Sequence, residues 1–199
     1  MNRVRHGARA RRVARVYDWS VPLERDALRI ALQLANVQRG ERVLDVATGT
    51  GALLRELAQR NQSTGQVIGV DHSPSMLSGA RGLPSSVRLV VADARALPFP
   101  SACFDVISLC YLVHLLQPGD RRRVFDAVRR VVRPGGRIVT VTVDTEQPVL
   151  RWVLGLFPSW TGLRRLDPRP DMERAGLRPI QARYTRAGWP SLCVLAEPV

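Results

Sequence analysis

Between Val43 and Val143 the chain alternates two patterns, short runs of β-branched and aliphatic residues and longer stretches in which apolar residues recur at every third or fourth position. The first pattern predicts strands buried on both faces; the second predicts amphipathic helices. Strands are predicted at Val43–Val46, Val67–Val70, Val87–Val91, Phe104–Leu109 and Ile138–Val143. Ala52–Arg60 carries Leu53, Leu54, Leu57 and Ala58 at helical spacing. Ser73-Pro74 reads as an N-cap followed by proline at the first helical position, with Met76, Leu77 and Ala80 turned inward. Gly119-Asp120 reads as the cap of a helix whose Val124, Phe125, Val128, Val131 and Val132 share one face, until Arg133-Pro134-Gly135-Gly136 stops it. Upstream, Arg9–Tyr17 reads as a short helix and Glu24–Ala35 as a longer one, with Leu28, Ala31, Leu32 and Ala35 on one face.

Alternation of this kind needs crossover connections, so it predicts a parallel sheet covered on both faces, with right-handed crossovers. The tail differs. A helix around Met172–Ala175 leads to strands near Ile180–Thr185 and Leu192–Leu195, and the short link Ala187-Gly188-Trp189-Pro190 makes these two antiparallel neighbours. The expected fold is α/β and doubly wound, a mostly parallel seven-stranded sheet with an antiparallel C-terminal strand. Residues 1–40 are read as a basic arm and cap helices and residues 41–199 as the main domain, together one globular unit. Asp144–Pro170 is the least constrained stretch.

At 199 residues, 45% of them hydrophobic, the chain is long enough to bury one core without staples. No run approaches the roughly 18 uncharged apolar residues of a membrane span. The arm carries Arg3, Arg5, Arg9, Arg11, Arg12 and Arg15 with no apolar run behind them, which supports neither a secretory nor a twin-arginine signal, so a cytoplasmic location is expected. The formal charge is +13, and all 30 basic residues are arginine. Such an excess attracts nucleic acid, anionic lipid or acidic substrates. No aromatic residues interleave with the arm's arginines to make a base-stacking platform, so nucleic acid is not the expected partner. Cys103, Cys110 and Cys193 lack metal-ligand spacing and read as reduced, mostly buried thiols; a soft metalloid held by Cys103 and Cys110 is the alternative, without a convincing third ligand. No metal is expected.

Val43 to Gly51 reads Val-Leu-Asp-Val-Ala-Thr-Gly-Thr-Gly, a buried strand breaking into a tight glycine-containing loop before a helix. Such a loop lets backbone N–H groups and a helix N-terminus approach a nucleotide-like ligand. A dinucleotide fingerprint is not met, because Leu54 stands where a third glycine or alanine belongs; a phosphate-binding P-loop is excluded for want of a lysine. Asp45, Asp71 and Asp93 lie at or near three successive strand ends, where ligands of open parallel sheets bind. Asp71 suits two ribose hydroxyls, Asp45 an ammonium group and Asp93 an exocyclic amine. Adenosine carrying an amino acid and a positive centre satisfies all three.

On these residues the chain resembles the class I S-adenosylmethionine-dependent methyltransferases, and is similar to their ubiquinone/menaquinone C-methyltransferase branch, from about Val13 to the C-terminus. Val43–Gly51 resembles the family's first motif, Val67–Asp71 with Ser73–Leu77 the second, and Ala92-Asp93-Ala94 the third. Phe104–Leu109 with Leu112–Leu115, and the helix ending at Arg133-Pro134-Gly135-Gly136, resemble the later ones. The resemblance implies a Rossmann-like sheet with S-adenosyl-L-methionine as methyl donor. By it Gly49 and Gly51 face the methionine moiety, Asp71 meets the ribose and His72 one face of adenine, with Asp45, Ala47 and Thr50 also among the cofactor-binding residues. Asp93 and the Ala94 N–H read the adenine edge, Cys110 lies beside the methionine end, and Tyr17 closes over the cofactor. The family often has glycine at the place of Ala47, whose small side chain still permits close approach.

Methyl transfer needs a general base only when the acceptor arrives protonated. His114 and Tyr17 are the candidates, each with a structural alternative: a core histidine in Leu112–Leu116 and a packing tyrosine on the first helix. No catalytic residue is assigned. The acceptor is expected to be a small lipophilic or aromatic molecule, with Val149, Leu150, Val153, Leu154, Phe157 and Trp160 as an apolar lid or a core helix, ringed by Arg151, Arg164 and Arg165, and with contact to an anionic membrane surface. An RNA or protein methyltransferase and a non-catalytic adenosylmethionine-binding subunit are the other readings. Oligomeric state is not legible.

Overall fold

A computed structural model describes residues 23–61, 65–147, 152 and 165–199. In chain order these form α1 (residues 23–35), β1 (Val43–Val46), α2 (Ala52–Asn61), β2 (Val67–Asp71), α3 (Pro74–Gly79), β3 (Val87–Val91), β4 (Phe104–Cys110), a 3-10 turn (Val113–Leu115), α4 (Pro118–Val131), β5 (Val132–Val143), α5 (Arg169–Arg174), β6 (Leu177–Tyr184) and β7 (Ser191–Pro198). One seven-stranded sheet takes the order β3-β2-β1-β4-β5-β7-β6. β1 to β5 pair in parallel, and β7 is antiparallel to both β5 and β6. The expected α/β class and mostly parallel sheet therefore hold.

The central strands are apolar on both faces because both are covered. Val43, Val67, Val106, Val139, Val141 and Cys193 point toward α1 and α2, where Ala27, Ala31, Leu53 and Leu57 complete one core. The alternate residues Leu44, Val46, Ile68, Ile107, Leu109 and Val194 pack with Val124, Phe125 and Val128 of α4 and Met172 of α5 into the other. After β3, at one edge, the chain returns to lay β4 beside β1. This reversal leaves a crevice over the carboxyl ends of β1 and β4.

Several boundaries differ from expectation. α4 begins at Pro118 with Gln117 as N-cap, so Asp120 lies within the first turn and caps nothing with its side chain. Proline's fixed φ and missing N–H suit that first position. Val132 opens β5 instead of closing α4, and Arg133–Gly136 forms an irregularity between the pairs Phe104↔Val132 and Val106↔Arg137. Gly135, at φ +73°, makes that bend. Cys103 and Cys110 flank opposite ends of β4, roughly 20 Å apart at the rise of a strand, so they do not form a metalloid pair; all three cysteines are free thiols. The helix expected at residues 9–17, Tyr17, and most of the expected lid, including Arg151 and Arg164, lie outside the described residues.

Candidate active site

β1 ends in a loop whose backbone turns left-handed three times, with φ of +59° at Ala47, +57° at Gly49 and +80° at Gly51. Two are glycines; Ala47 carries the strain its side chain brings to that region. The Thr48 N–H donates to the Val70 carbonyl at 2.9 Å and the Gly51 N–H to the Thr48 carbonyl at 2.9 Å, which ties the loop to β2 and opens α2. Asp71, at the end of β2, completes the clasp. Its Oδ2 accepts from the Gly49 N–H and its Oδ1 from the Ser73 N–H, both at 2.9 Å, so one carboxylate holds the glycine loop and the start of α3 together. Exposed His72 places Nδ1 3.4 Å from Asp71 Oδ1.

Asp45 is enclosed at 2% exposure. Sheet register sets it beside Ser108 of β4, whose hydroxyl donates to Oδ1 at 2.6 Å, while the Thr48 hydroxyl donates to Oδ2 at 2.6 Å. Burial pushes its carboxyl up to about 6; the two hydroxyls oppose the rise and the Asp71 charge adds to it. A charge held this way gains from a nearby cation.

Asp93 is differently placed. It is half exposed and forked by Arg95, whose Nε and Nη2 donate to the carboxylate at 2.6–3.0 Å while Nη1 reaches Asp120 at 3.1 Å. The guanidinium and the Arg95 N–H hold its carboxyl below the usual range. The sequence reading missed this pairing.

Cys110 ends β4, and burial pushes its thiol well up, so it is neutral. Tyr111 follows in the left-handed region at φ +56°, with its hydroxyl 2.9 Å from Ser191 Oγ. So bulky a residue there is strained. His114 is buried, stacks edge-on to Tyr111, and burial pushes its imidazole down to about 4. It lines neither of the cavities of the crevice, so the structure does not bring it to the site as a base.

Those cavities adjoin. One of about 310 Å³ is lined by Glu24, Leu28, Asp45, Ala47–Thr50, Asp71, His72, Met76, Cys110, Tyr111, Leu112 and Leu115, among others. The other, about 320 Å³, is lined by Asp93, Ala94, Arg95, Leu116 and Val124 and shares Ala47, Asp71, His72, Leu112 and Leu115 with the first. Gly51 sits just behind, with Ala80 and Leu83 against it. The structure thus gathers Asp45, Ala47, Gly49, Thr50, Asp71, His72 and Cys110 on one cavity and Asp93 and Ala94 on its neighbour. Glu24, Ser108 and Tyr111 were not singled out from sequence. Ser108 left a signal, a lone hydroxyl at an interior position of an apolar strand.

Residues 43–136 match the methyltransferase domain family. The ubiquinone/menaquinone biosynthesis C-methyltransferase UbiE of Azotobacter vinelandii is 38% identical over 120 residues, 57% of this chain and 46% of that protein. Its counterpart in Stutzerimonas stutzeri is 34% identical over 119 residues. The chain spans about half the length of these relatives. In fold it is similar to a chain of the complex between the Haloferax volcanii Trm112 methyltransferase activator and a methyltransferase, with TM-score 0.77, 20% identity and 97% of each chain covered. It is also similar to a SAM-dependent methyltransferase of Aquifex aeolicus, with TM-score 0.69, 21% identity, and 93% of this chain and 97% of that one covered. Over residues 43–136 the chain thus matches a methyltransferase domain, and it is similar there to part of the ubiquinone/menaquinone biosynthesis C-methyltransferases.

Proposed function

We propose that the chain transfers a methyl group from S-adenosyl-L-methionine to a small acceptor with an apolar body. The observation that carries this reading is the clasp of the Gly49 N–H by Asp71 at the switch point of the sheet. The donor set fits the cofactor: Asp45 and Asp71 bring two carboxylates to a cavity that no arginine lines among the described residues, as a ligand with an ammonium and a sulfonium requires. Ala47, Gly49, Thr50, Gly51 and Asp45 would hold its amino-acid end, with Cys110 beside it. Asp71 would accept from the ribose, and His72, Asp93 and Ala94 would border the base.

The bound group supplies a methyl carbon already activated by its sulfonium, so no protein nucleophile is needed. What remains for the chain is to orient the acceptor and exclude water. Leu28, Leu112 and Leu115 form an apolar wall suited to that task. Leu115 is 53% exposed and Trp152 68%, and with the +13 charge they support an acceptor that is lipophilic and met at an anionic membrane surface. Among the described residues no helix is long and apolar enough to cross a membrane.

Calorimetry with adenosylmethionine and adenosylhomocysteine tests the reading. Both should bind one to one, and Asp71→Ala should weaken each by about tenfold or more, the worth of a hydrogen bond to a charged group. No binding by the wild-type chain would end the reading; unchanged affinity in the variant would end the assignment of Asp71. A screen with labelled methyl donor against lipid extract, quinone precursors and RNA then identifies the acceptor class.

A further inference from the structure

The buried run of β4, Phe104 to Leu109, is apolar except at Asp105, near its start, and at Ser108, in mid-sheet. Asp105 is answered at the lower edge of the sheet by the Arg42 N–H and the Arg133 guanidinium. Ser108 is 1% exposed, with β1 on one side and β5 on the other, on the face that Val106 and Val139 turn toward α1 and α2. A hydroxyl enclosed among aliphatic side chains is costly unless it is bonded, and an alanine would avoid that cost. The bond it makes runs straight across the strand pair, to Asp45 at 2.6 Å.

Asp45 is held at both oxygens, Oδ1 by Ser108 from the sheet and Oδ2 by Thr48 from the glycine loop. Burial favours the neutral acid, pushing the carboxyl up to about 6; the Ser108 and Thr48 hydroxyls oppose that rise, and the Asp71 charge on β2 adds to it. Two donors on one carboxylate also fix its plane. Glu24 of α1 and the neutral thiol of Cys110 share the cavity with Asp45 and Asp71, exposed His72 stands beside Asp71, and no arginine lines the cavity among the described residues. Among the described residues the support for a charged Asp45 therefore comes from its two hydroxyls, and one of them belongs to a strand that contributes no part of the glycine loop.

We infer that Ser108 is a positioning residue for the methyl donor: its hydroxyl holds Asp45 charged and oriented for the donor's ammonium, so that β4 sets the acidity at which the donor ceases to bind. This rests on the methyltransferase reading, and the test separates the two. The full chain is titrated calorimetrically with adenosylhomocysteine from about pH 7 to about pH 5, a range in which neither the ammonium nor the carboxylate of an amino acid titrates. Wild-type affinity should fall about tenfold across it, as linkage to a carboxyl near 6 requires. Ser108→Ala should move that fall upward by about one pH unit, the worth of a hydrogen bond to a charged group. Its deficit against the wild type should then widen from about twofold or threefold at the upper end to about tenfold or more at the lower. Asp45→Asn should bind weakly with most of the pH dependence gone. His72 and Asp71 are common to wild type and Ser108→Ala, so the difference between those two profiles belongs to Asp45.

A deficit in Ser108→Ala that is equal at both ends of the range, or no deficit, overturns the proposal, because a packing role does not respond to protons. So does a wild-type affinity that stays constant across the range. Should Ser108→Ala fold poorly, Ser108→Cys, of nearly the same shape and with a much weaker donor, must show the same widening deficit or the proposal falls. If the wild-type chain binds no adenosylhomocysteine at any of these pH values, the methyltransferase reading itself fails and takes the proposal with it.

Discussion

Burial pushes Asp45 and His114 in opposite directions. The Asp45 carboxyl titrates near 6 in the fold against 3.8 as a free side chain, so the folded chain binds this proton more tightly. Its contribution to stability is full below about pH 4 and lost as pH rises through about 6. The His114 imidazole, pushed from 6.5 down to about 4, does the reverse: its contribution is present above about pH 6.5 and lost as pH falls toward 4. The two shifts are similar in size and offset each other. Asp45→Asn leaves the histidine loss uncompensated, so between pH 6 and 4 its urea-derived stability should fall by about 2 kcal/mol more than that of the wild type. Parallel profiles would show that Asp45 is not desolvated. At this scale the carboxylates were legible because acids at the ends of apolar strands stand out. Their partners were not: Ser108 meets Asp45 only through strand register, and the fork of Arg95 on Asp93 only through the path of the chain after β3.

At the scale of elements, the loop depends on how closely α2 can lie on the sheet. Gly69, mid-strand in β2 and opposite Asp45, makes the approach possible: a Cβ there would come within 2.5 Å of Leu54 Cδ2 and 3.0 Å of Thr48 Cγ2. Gly69→Ala should cost about 1–3 kcal/mol in denaturant unfolding, as overpacked cores do, and should weaken donor binding because Thr48 belongs to the loop. A variant as stable as the wild type would mean that α2 has room to move. Element types followed from periodicity for nearly every strand and helix, since burial on two faces or along one stripe writes itself into the order of residues. Ends were less legible. Proline at 118 drew the start of α4 ahead of the expected cap at Gly119-Asp120, and the Arg133–Gly136 turn merged into β5 because the sheet extended pairing through it.

For the whole molecule the governing contrast is a strongly basic chain around an acidic cavity. Long-range attraction acts on the surface, and short-range selection acts inside. If the surface serves to meet membrane-borne acceptors, the chain should pellet with vesicles rich in anionic lipid at low salt and be released as salt rises, while neutral vesicles leave it in solution. Failure to bind anionic vesicles at low salt would remove the membrane from the reading and leave the methyl transfer intact. The sequence by itself determined the alternation of strands and helices, hence the parallel sheet, and the loop chemistry that identifies the domain, because both depend on neighbours within a few positions along the chain. Only the tertiary structure decided that β7 inserts between β5 and β6, that Ser108 supports Asp45, and that α1, latched by a turn some 160 residues away, brings Glu24 to the cavity. Each of these rests on contacts between residues far apart in sequence, whose pairing is set by packing of the whole and leaves no local pattern to read.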